Sequence, residues 1–237
     1  MEATILDSIP FQIDDDQFLK SLNLKAEARY VGEIADLLKQ AHQIGRPKGL
    51  YTIAFVESRD DDSVVIEGIR FNSRVLRVNL GEVQRVFPFA ATCGLELEEW
   101  SKTIEGMPER YWADRIKETV LEWAIKALSE HVVQTYQLGP MAAMNPGALA
   151  DWPTSEQKKL FTLFGSAADA IGVQLTESSI MYPIKSVSGI WFPSAAAFEN
   201  CQLCPILQCP KRRKPYDKEL YDRKYRKCQA STLSRPC

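Results

Sequence analysis

Five of the six cysteines in this 237-residue chain lie beyond residue 200. Cys201-x-x-Cys204-x4-Cys209-Pro210 has the spacing by which two thiolates grip one metal centre from a single turn while a third returns after a short loop. A proline after the last cysteine is also a feature of bacterial ferredoxin-type ligation. The fourth ligand is Cys228 or Cys237, with Cys93 open to it through folding, and Cys228 completes the expected set. Only His42 and His131 are available as imidazoles, so any such centre rests on sulfur. Three outcomes stay open: an iron–sulfur cluster of the 4Fe–4S kind, a zinc site, or free cysteines.

A second group of residues could hold a polar small molecule. Asn145-Pro146-Gly147 is a tight-turn sequence, and the missing side chain at Gly147 lets a ligand approach the main chain. Thr176, Glu177, Ser178, Lys185, Ser186 and Ser188 add polar groups near strand ends. The same residues also read as a turn and two polar strands with no ligand, and spacing alone names none.

The elements that must position these groups follow from periodicity. A short strand over 9–13 and a short helix precede an amphipathic helix over 26–44. Strands are expected over 50–57 and 64–69, joined by the polar turn at 59–63, and over 83–92 with a break at Pro88. Helices follow near 96–104 and 110–136, the second closed by Gly139-Pro140. Thr154 and Gln157 fit a capping box for a helix that ends at Gly172, and two short strand pieces flank Pro183. Strands and helices do not alternate regularly, and no Gly-rich nucleotide loop follows a first strand. The expected fold is therefore α+β, a twisted antiparallel sheet with flanking helices, and not a Rossmann-type methyltransferase. Composition changes after Pro193, giving a domain over 1–195 and a Cys-rich basic tail over 196–237.

Hydrophobic residues make up 45% and charged residues 25% of the chain, as in an ordinary globular domain. A net charge of -2 gives no general attraction to nucleic acid or to a membrane. No apolar run is long enough to span a bilayer, and the acidic start has no signal pattern, so a cytoplasmic location is expected. Such a setting favours metal-binding over disulfide-forming cysteines.

The motifs Asn145-Pro-Gly147, Trp152-Pro153, Gln157, Leu160-Phe161 and Gly172-Val-x-Leu-Thr-Glu-Ser178 occur in order, followed by Pro183-x-Lys-Ser-Val-Ser-Gly189. With Phe89-Ala-Ala-Thr-Cys-Gly94 and Ala113-Asp-Arg115, they resemble the activation domain of vitamin B12-dependent methionine synthase in its stand-alone, single-domain form. The resemblance runs from about 83 to 192. It implies reductive reactivation of a corrinoid methyltransferase of methionine biosynthesis, with S-adenosylmethionine as methyl donor to the reduced cobalt. The corrinoid performs the chemistry, so no residue is given a catalytic role and the chain is an accessory subunit.

By this resemblance Glu118 is a ligand-contacting carboxylate, and Asn145, Pro146 and Gly147 form the S-adenosylmethionine loop. The family's arginine and tyrosine beside that loop fall at Ala143 and Ala148, leaving Lys185 as the substitute cation. A cluster in the tail would relay the electron, with flavodoxin or ferredoxin as donor. The basic runs 211–214 and 223–227 would dock an acidic partner or be a solvated face, with RNA a weaker reading. Two alternatives to reactivation are a zinc-stapled cap for a corrinoid protein and an electron-transfer protein that does not use S-adenosylmethionine.

Overall fold

Alternating burial marks the strands of this chain, and apolar residues three and four apart mark its helices. The computed structural model describes residues 2–24, 30–195 and 198–226. The first elements are β1 (Ala3–Leu6), α1 (Asp15–Ser21), α2 (Val31–Ile44), β2 (Lys48–Thr52), β3 (Ala54–Arg59), β4 (Ser63–Ile66) and β5 (Ile69–Asn72). Next come α3 (Arg74–Leu80), β6 (Arg85–Thr92), α4 (Leu95–Lys102), α5 (Met107–Tyr136) and β7 (Met141–Met144). The short α6 (Gln157–Thr162) and α7 (Ala167–Ala170) lead to β8 (Gln174–Leu175), β9 (Met181–Tyr182) and β10 (Ser186–Pro193). Among the described residues these form an eight-stranded antiparallel sheet and a separate β8–β9 hairpin, which is the α+β architecture expected.

The sheet is organised around β6. One edge of β6 pairs with β10, which pairs in turn with β7. The other edge is shared, with β2 on Phe89–Thr92 and β3 on Arg85–Val86. Successive side chains of β6 enter two cores. Val86 and Ala90 join the core that includes Trp152, Leu160 and Phe164, and Phe87, Phe89 and Ala91 pack against Ala124, Leu128 and Val132 of α5. Burial on both faces explains why this strand reads as an unbroken apolar run, each fully buried Phe contributing about 1.5–3 kcal/mol. A third core joins α5 to α1, α2 and α4 through Ile116, Val120, Leu38 and Leu97.

Several boundaries differ from the sequence reading. Residues 9–13 are not a strand, and β1 lies earlier, paired with β2. Of the 26–44 helix, residues 26–29 lie outside the described residues, and α2 begins at Val31. Pro88 does not break β6, because it stands where β2 hands over to β3 and a residue without an N–H is tolerated. The strand expected over 64–69 folds back at Glu67 and Gly68, both with positive φ, and gives the additional strand β5. Gln157 does not close a capping box on Thr154: its amide donates to Ser179 O at 3.1 Å, while the turn that Thr154 opens has no side-chain cap. The helix expected to run on to Gly172 is cut by Gly165, with φ of 57°.

Described tail residues do not stand apart. Phe198 and Tyr225 are buried in the Trp152 core, with Leu203, Cys204 and Leu220 against its edge. Among the described residues no helix is long and apolar enough to cross a membrane.

A buried ion pair joins α4 to α5. Lys117 Nζ lies 3.0 Å from Glu98 Oε2 and donates to Ser101 Oγ at 2.9 Å, with both charged side chains less than a tenth exposed. Removing one partner strands the other charge away from water. Lys117→Ala should therefore cost about 3–5 kcal/mol in urea unfolding, and Lys117→Met with Glu98→Leu should recover most of that loss.

Gly189 controls the approach of β7 to β10. A Cβ there would lie 2.5 Å from Met144 O, 2.5 Å from Asn145 Nδ2 and 2.9 Å from Phe89 Cε1. The backbone carbonyl cannot swing away as a side-chain end can. Gly189→Ala should destabilise the protein by about 1–3 kcal/mol in thermal or urea unfolding, although alanine is the better strand residue.

Candidate functional site

The Asn-Pro-Gly sequence forms the turn its residues dictate. Ala148 N donates to Asn145 O at 3.1 Å, Pro146 supplies the fixed φ, and Gly147 takes φ of 85°, the arrangement of a type II turn. Gly147 is needed twice, since a Cβ there would also meet Thr154 Oγ1 at 2.5 Å. Its N–H donates to Trp152 O at 2.7 Å, which ties the turn to the segment before α6. The Asn145 amide is used at both ends. Nδ2 donates to Ser188 O at 2.8 Å, and Oδ1 accepts from Asn200 Nδ2 at 3.1 Å, tying β7, β10 and the tail at one point.

Alternation along β10 divides the expected site residues between two sheet faces. Val187 and Trp191 face α5, while Ile190 and Phe192 enter the opposite core. Ser186 and Ser188 share the second face by parity. The Ser186 hydroxyl donates to Pro183 O at 2.7 Å and lies 2.9 Å from Thr92 Oγ1, from which it can accept. The Ser188 hydroxyl is buried without a hydrogen-bond partner among the described residues. Glu177 and Ser178 lie in the exposed loop of the β8–β9 hairpin, where Lys158 Nζ holds Glu177 O at 2.7 Å and Thr176 Oγ1 lies 3.1 Å from Ser178 Oγ. That hairpin is tied to α6 by Gln157 and Lys158, and to α4 through the Tyr182 hydroxyl, which bonds Glu99 and Lys102.

On the α5 face, Asp114, Glu118 and Glu122 stand four residues apart and form one carboxylate stripe. Lys185 Nζ pairs with Asp114 Oδ2 at 2.8 Å. Glu118 is bonded to Arg115 and lies 3.4 Å from the tail's Lys211 Nζ, which also bonds Glu122. The i, i+4 spacing was visible in the sequence, but the lysines that meet it come from the residue just before β10 and from the tail. Just beyond, a cavity of about 430 Å³ opens between α5, β7, β10 and the tail. Glu122, Ala143, Trp191, Glu199 and Arg213 are among its lining residues. The Trp191 indole is held flat against Phe89, ring centroids 3.6 Å apart and 5° from parallel. A volume in the roughly 300–1,000 Å³ range, with an aromatic wall and a few charges, suits a small polar cofactor.

The cysteine loop is organised by an arginine. Arg212 Nη1 donates to Cys201 O at 2.6 Å and Lys214 O at 3.0 Å, and Nη2 to Cys204 O at 2.9 Å and Ile206 O at 2.6 Å. Cys201 and Cys204 thus contribute carbonyl oxygens, not sulfurs, to the centre of the loop. Among the described residues no three His, Cys, Asp or Glu side chains come together as a metal-holding group, and Cys201, Cys204 and Cys209 are free thiols. As placed, these three cysteines do not fit the expected metal centre, and Cys228 and Cys237 lie outside the described residues. Cys93 is buried in the helical core, and that burial pushes its thiol up to about 12, so it stays protonated and unreactive.

A family model described as the activation domain of vitamin B12 dependent methionine synthase matches residues 139–202, which run from β7 through the Asn-Pro-Gly turn and β10 to Asn200 and Cys201. Among solved structures, the chain is similar to the crystal structure of the MetH reactivation domain bound to AdoHcy. The two are 18% identical with a TM-score of 0.57, over 84% of this chain and 81% of that one. No curated protein matches the chain. Residues 139–202 therefore carry the signature of the vitamin B12 dependent methionine synthase activation domain, on a fold shared with the MetH reactivation domain.

Proposed function

We propose that this chain reactivates a corrinoid-dependent methyltransferase of the methionine synthase type, using S-adenosylmethionine as methyl donor. The observation that carries this reading is a coincidence of position. The segment matching the activation-domain model supplies β7 and β10, whose Ala143 and Trp191 line the cavity against α5, and the Asn-Pro-Gly turn that follows β7. The solved neighbour of the same fold was crystallised with AdoHcy, the product left when S-adenosylmethionine gives up its methyl group.

In the proposed reaction the substrate is the partner's corrinoid in its cob(II)alamin state. One electron from a low-potential donor of the flavodoxin or ferredoxin class gives cob(I)alamin. Its cobalt electron pair forms the new bond to the sulfonium methyl group, and the sulfur keeps the pair of the broken bond. The products are methylcobalamin and S-adenosylhomocysteine. This chain contributes proximity and orientation, so that an unfavourable reduction is drawn forward by methylation. A reducing, cytoplasmic setting accords with the free thiols of the four described cysteines.

Methyl-labelled S-adenosylmethionine tests the proposal. With the oxidised corrinoid partner and a one-electron donor, the chain should yield labelled methylcobalamin and S-adenosylhomocysteine one for one, and omitting the chain should abolish both. Glu118→Ala should weaken S-adenosylmethionine binding by about tenfold with little change in melting temperature, since its partly exposed pairs with Arg115 and Lys211 contribute little stability. Unchanged affinity in calorimetry would remove Glu118 from the site.

The cysteine spacing supports a further part of the proposal, an iron–sulfur relay in the tail, with zinc as the alternative metal. Either requires Cys201, Cys204 and Cys209 to turn their sulfurs inward and the loop to give up its carbonyl bonds to Arg212. Iron and zinc both well below one equivalent in protein purified without oxygen would leave the electron to a separate donor. Stoichiometric iron with acid-labile sulfide, lost in Cys204→Ser, would instead establish the relay.

A further inference from the structure

We propose that the C-terminal tail is a working wall of the ligand cavity, and that Arg213 receives the carboxylate at the amino-acid end of S-adenosylmethionine. The inference rests on reading this cavity as the S-adenosylmethionine site.

A ligand with a free amino-acid end brings a carboxylate, which needs a cation that lines the cavity, is held in place and has N–H donors to spare. The cations near the α5 face can be compared on that basis. Lys185 is bonded to Asp114 at 2.8 Å, and Lys211 is bonded to Glu122 with Glu118 at 3.4 Å, so each is matched to the carboxylate stripe. Arg115 is bonded to Glu118, and like Lys185 and Lys211 it does not line the cavity. Lys126 lines the cavity but lies 3.9 Å from Glu130 and 5.6 Å from the centre of the Trp123 ring, leaning along its own helix.

Arg213 lines the same cavity as Ala143 and Trp191, with 64% of its side chain exposed. Its ion-pair partner is Glu199, at 2.8 Å through one terminal nitrogen. A guanidinium has five N–H donors in a planar fork, so it can keep that bond and still grip a carboxylate with two others. Glu199 acts as a positioning residue, since its own side chain is fixed by the turn at Asn200–Gln202, where it accepts from the Gln202 backbone N–H.

The tail is also anchored on the near side of Arg213. Lys211 is pinned to α5, and Arg212 gathers the carbonyls of Cys201, Cys204, Ile206 and Lys214. Two consecutive anchors deliver the third residue of the basic run to the cavity. Across from it, Ala143 presents only a methyl group, which leaves room for a long side chain arriving from the tail. Three neighbouring cations of the basic run thus act differently, with Lys211 docking the tail, Arg212 folding the loop and Arg213 facing the ligand.

Calorimetry on the full chain tests this with three probes: S-adenosylmethionine, S-adenosylhomocysteine and 5′-methylthioadenosine, the last lacking the amino-acid end. Arg213→Ala should weaken both amino-acid-bearing ligands at least about tenfold and leave 5′-methylthioadenosine unchanged. Arg213→Lys should restore part of the loss. Arg223→Ala, which removes a tail cation paired with Asp217 away from the cavity, should change nothing. Equal weakening of all three probes, no weakening, or a loss in Lys126→Ala but not in Arg213→Ala would overturn the assignment. Failure of the unaltered chain to bind any probe would overturn the underlying reading of the site, and is distinct from a failure confined to the Arg213 variants.

Discussion

The structure depends on one strand that is buried on both faces and paired on both edges. β6 lends alternate side chains to the Trp152 core and to the seam with α5, and its hydrogen bonds fix β10 on one side and β2 and β3 on the other. Once β10 is registered on β6, each of its side chains is committed to a face, because a slip of one residue would exchange all of them. Trp191 must then face α5, and the space between Trp191, β7 and α5 follows from that registration. Gly189 permits it by letting the end of β7 come within reach of both strands.

Against this sheet, α5 is the second fixed reference. Its inner face is apolar, with Ile116, Val120, Ala124, Leu128 and Val132 buried, and its carboxylate stripe is left for cations from elsewhere in the chain. Those cations arrive from the residue before β10 and from the tail. Pairs that are exposed to solvent contribute little stability individually. Their larger consequence is positional: they decide where the tail crosses the helix and which of its residues reach the cavity.

The tail shows how a guanidinium can organise a loop whose composition suggests a metal. Buried carbonyl oxygens need donors, and a planar fork of N–H groups supplies several from one side chain. Arg212 meets the carbonyls around Cys201 and Cys204, while Phe198 and Tyr225 fasten the segment to the main core.

Local chemistry made part of this legible in the sequence. The apolar run of β6, the helical spacing of α5, its stop before Gly139-Pro140 and the Asn-Pro-Gly turn all follow from side-chain size, backbone freedom and periodicity over a few residues. The ordered motifs between 83 and 192 carried the family resemblance, and 139–202 is where the family model matches. The two-residue reversal at Glu67-Gly68 and the interruption at Gly165 were not legible there, because a single glycine is weak punctuation inside an apolar pattern. Only tertiary structure decided which of the polar residues meet. It set Ser186 and Ser188 on the face opposite Trp191, closed the Gly147 N–H onto Trp152, and brought Glu199 and Arg213 to the cavity beside Ala143. Strand register and the path of the tail across α5 are long-range choices, fixed by which buried surfaces fit together, and no window along the chain contains both partners.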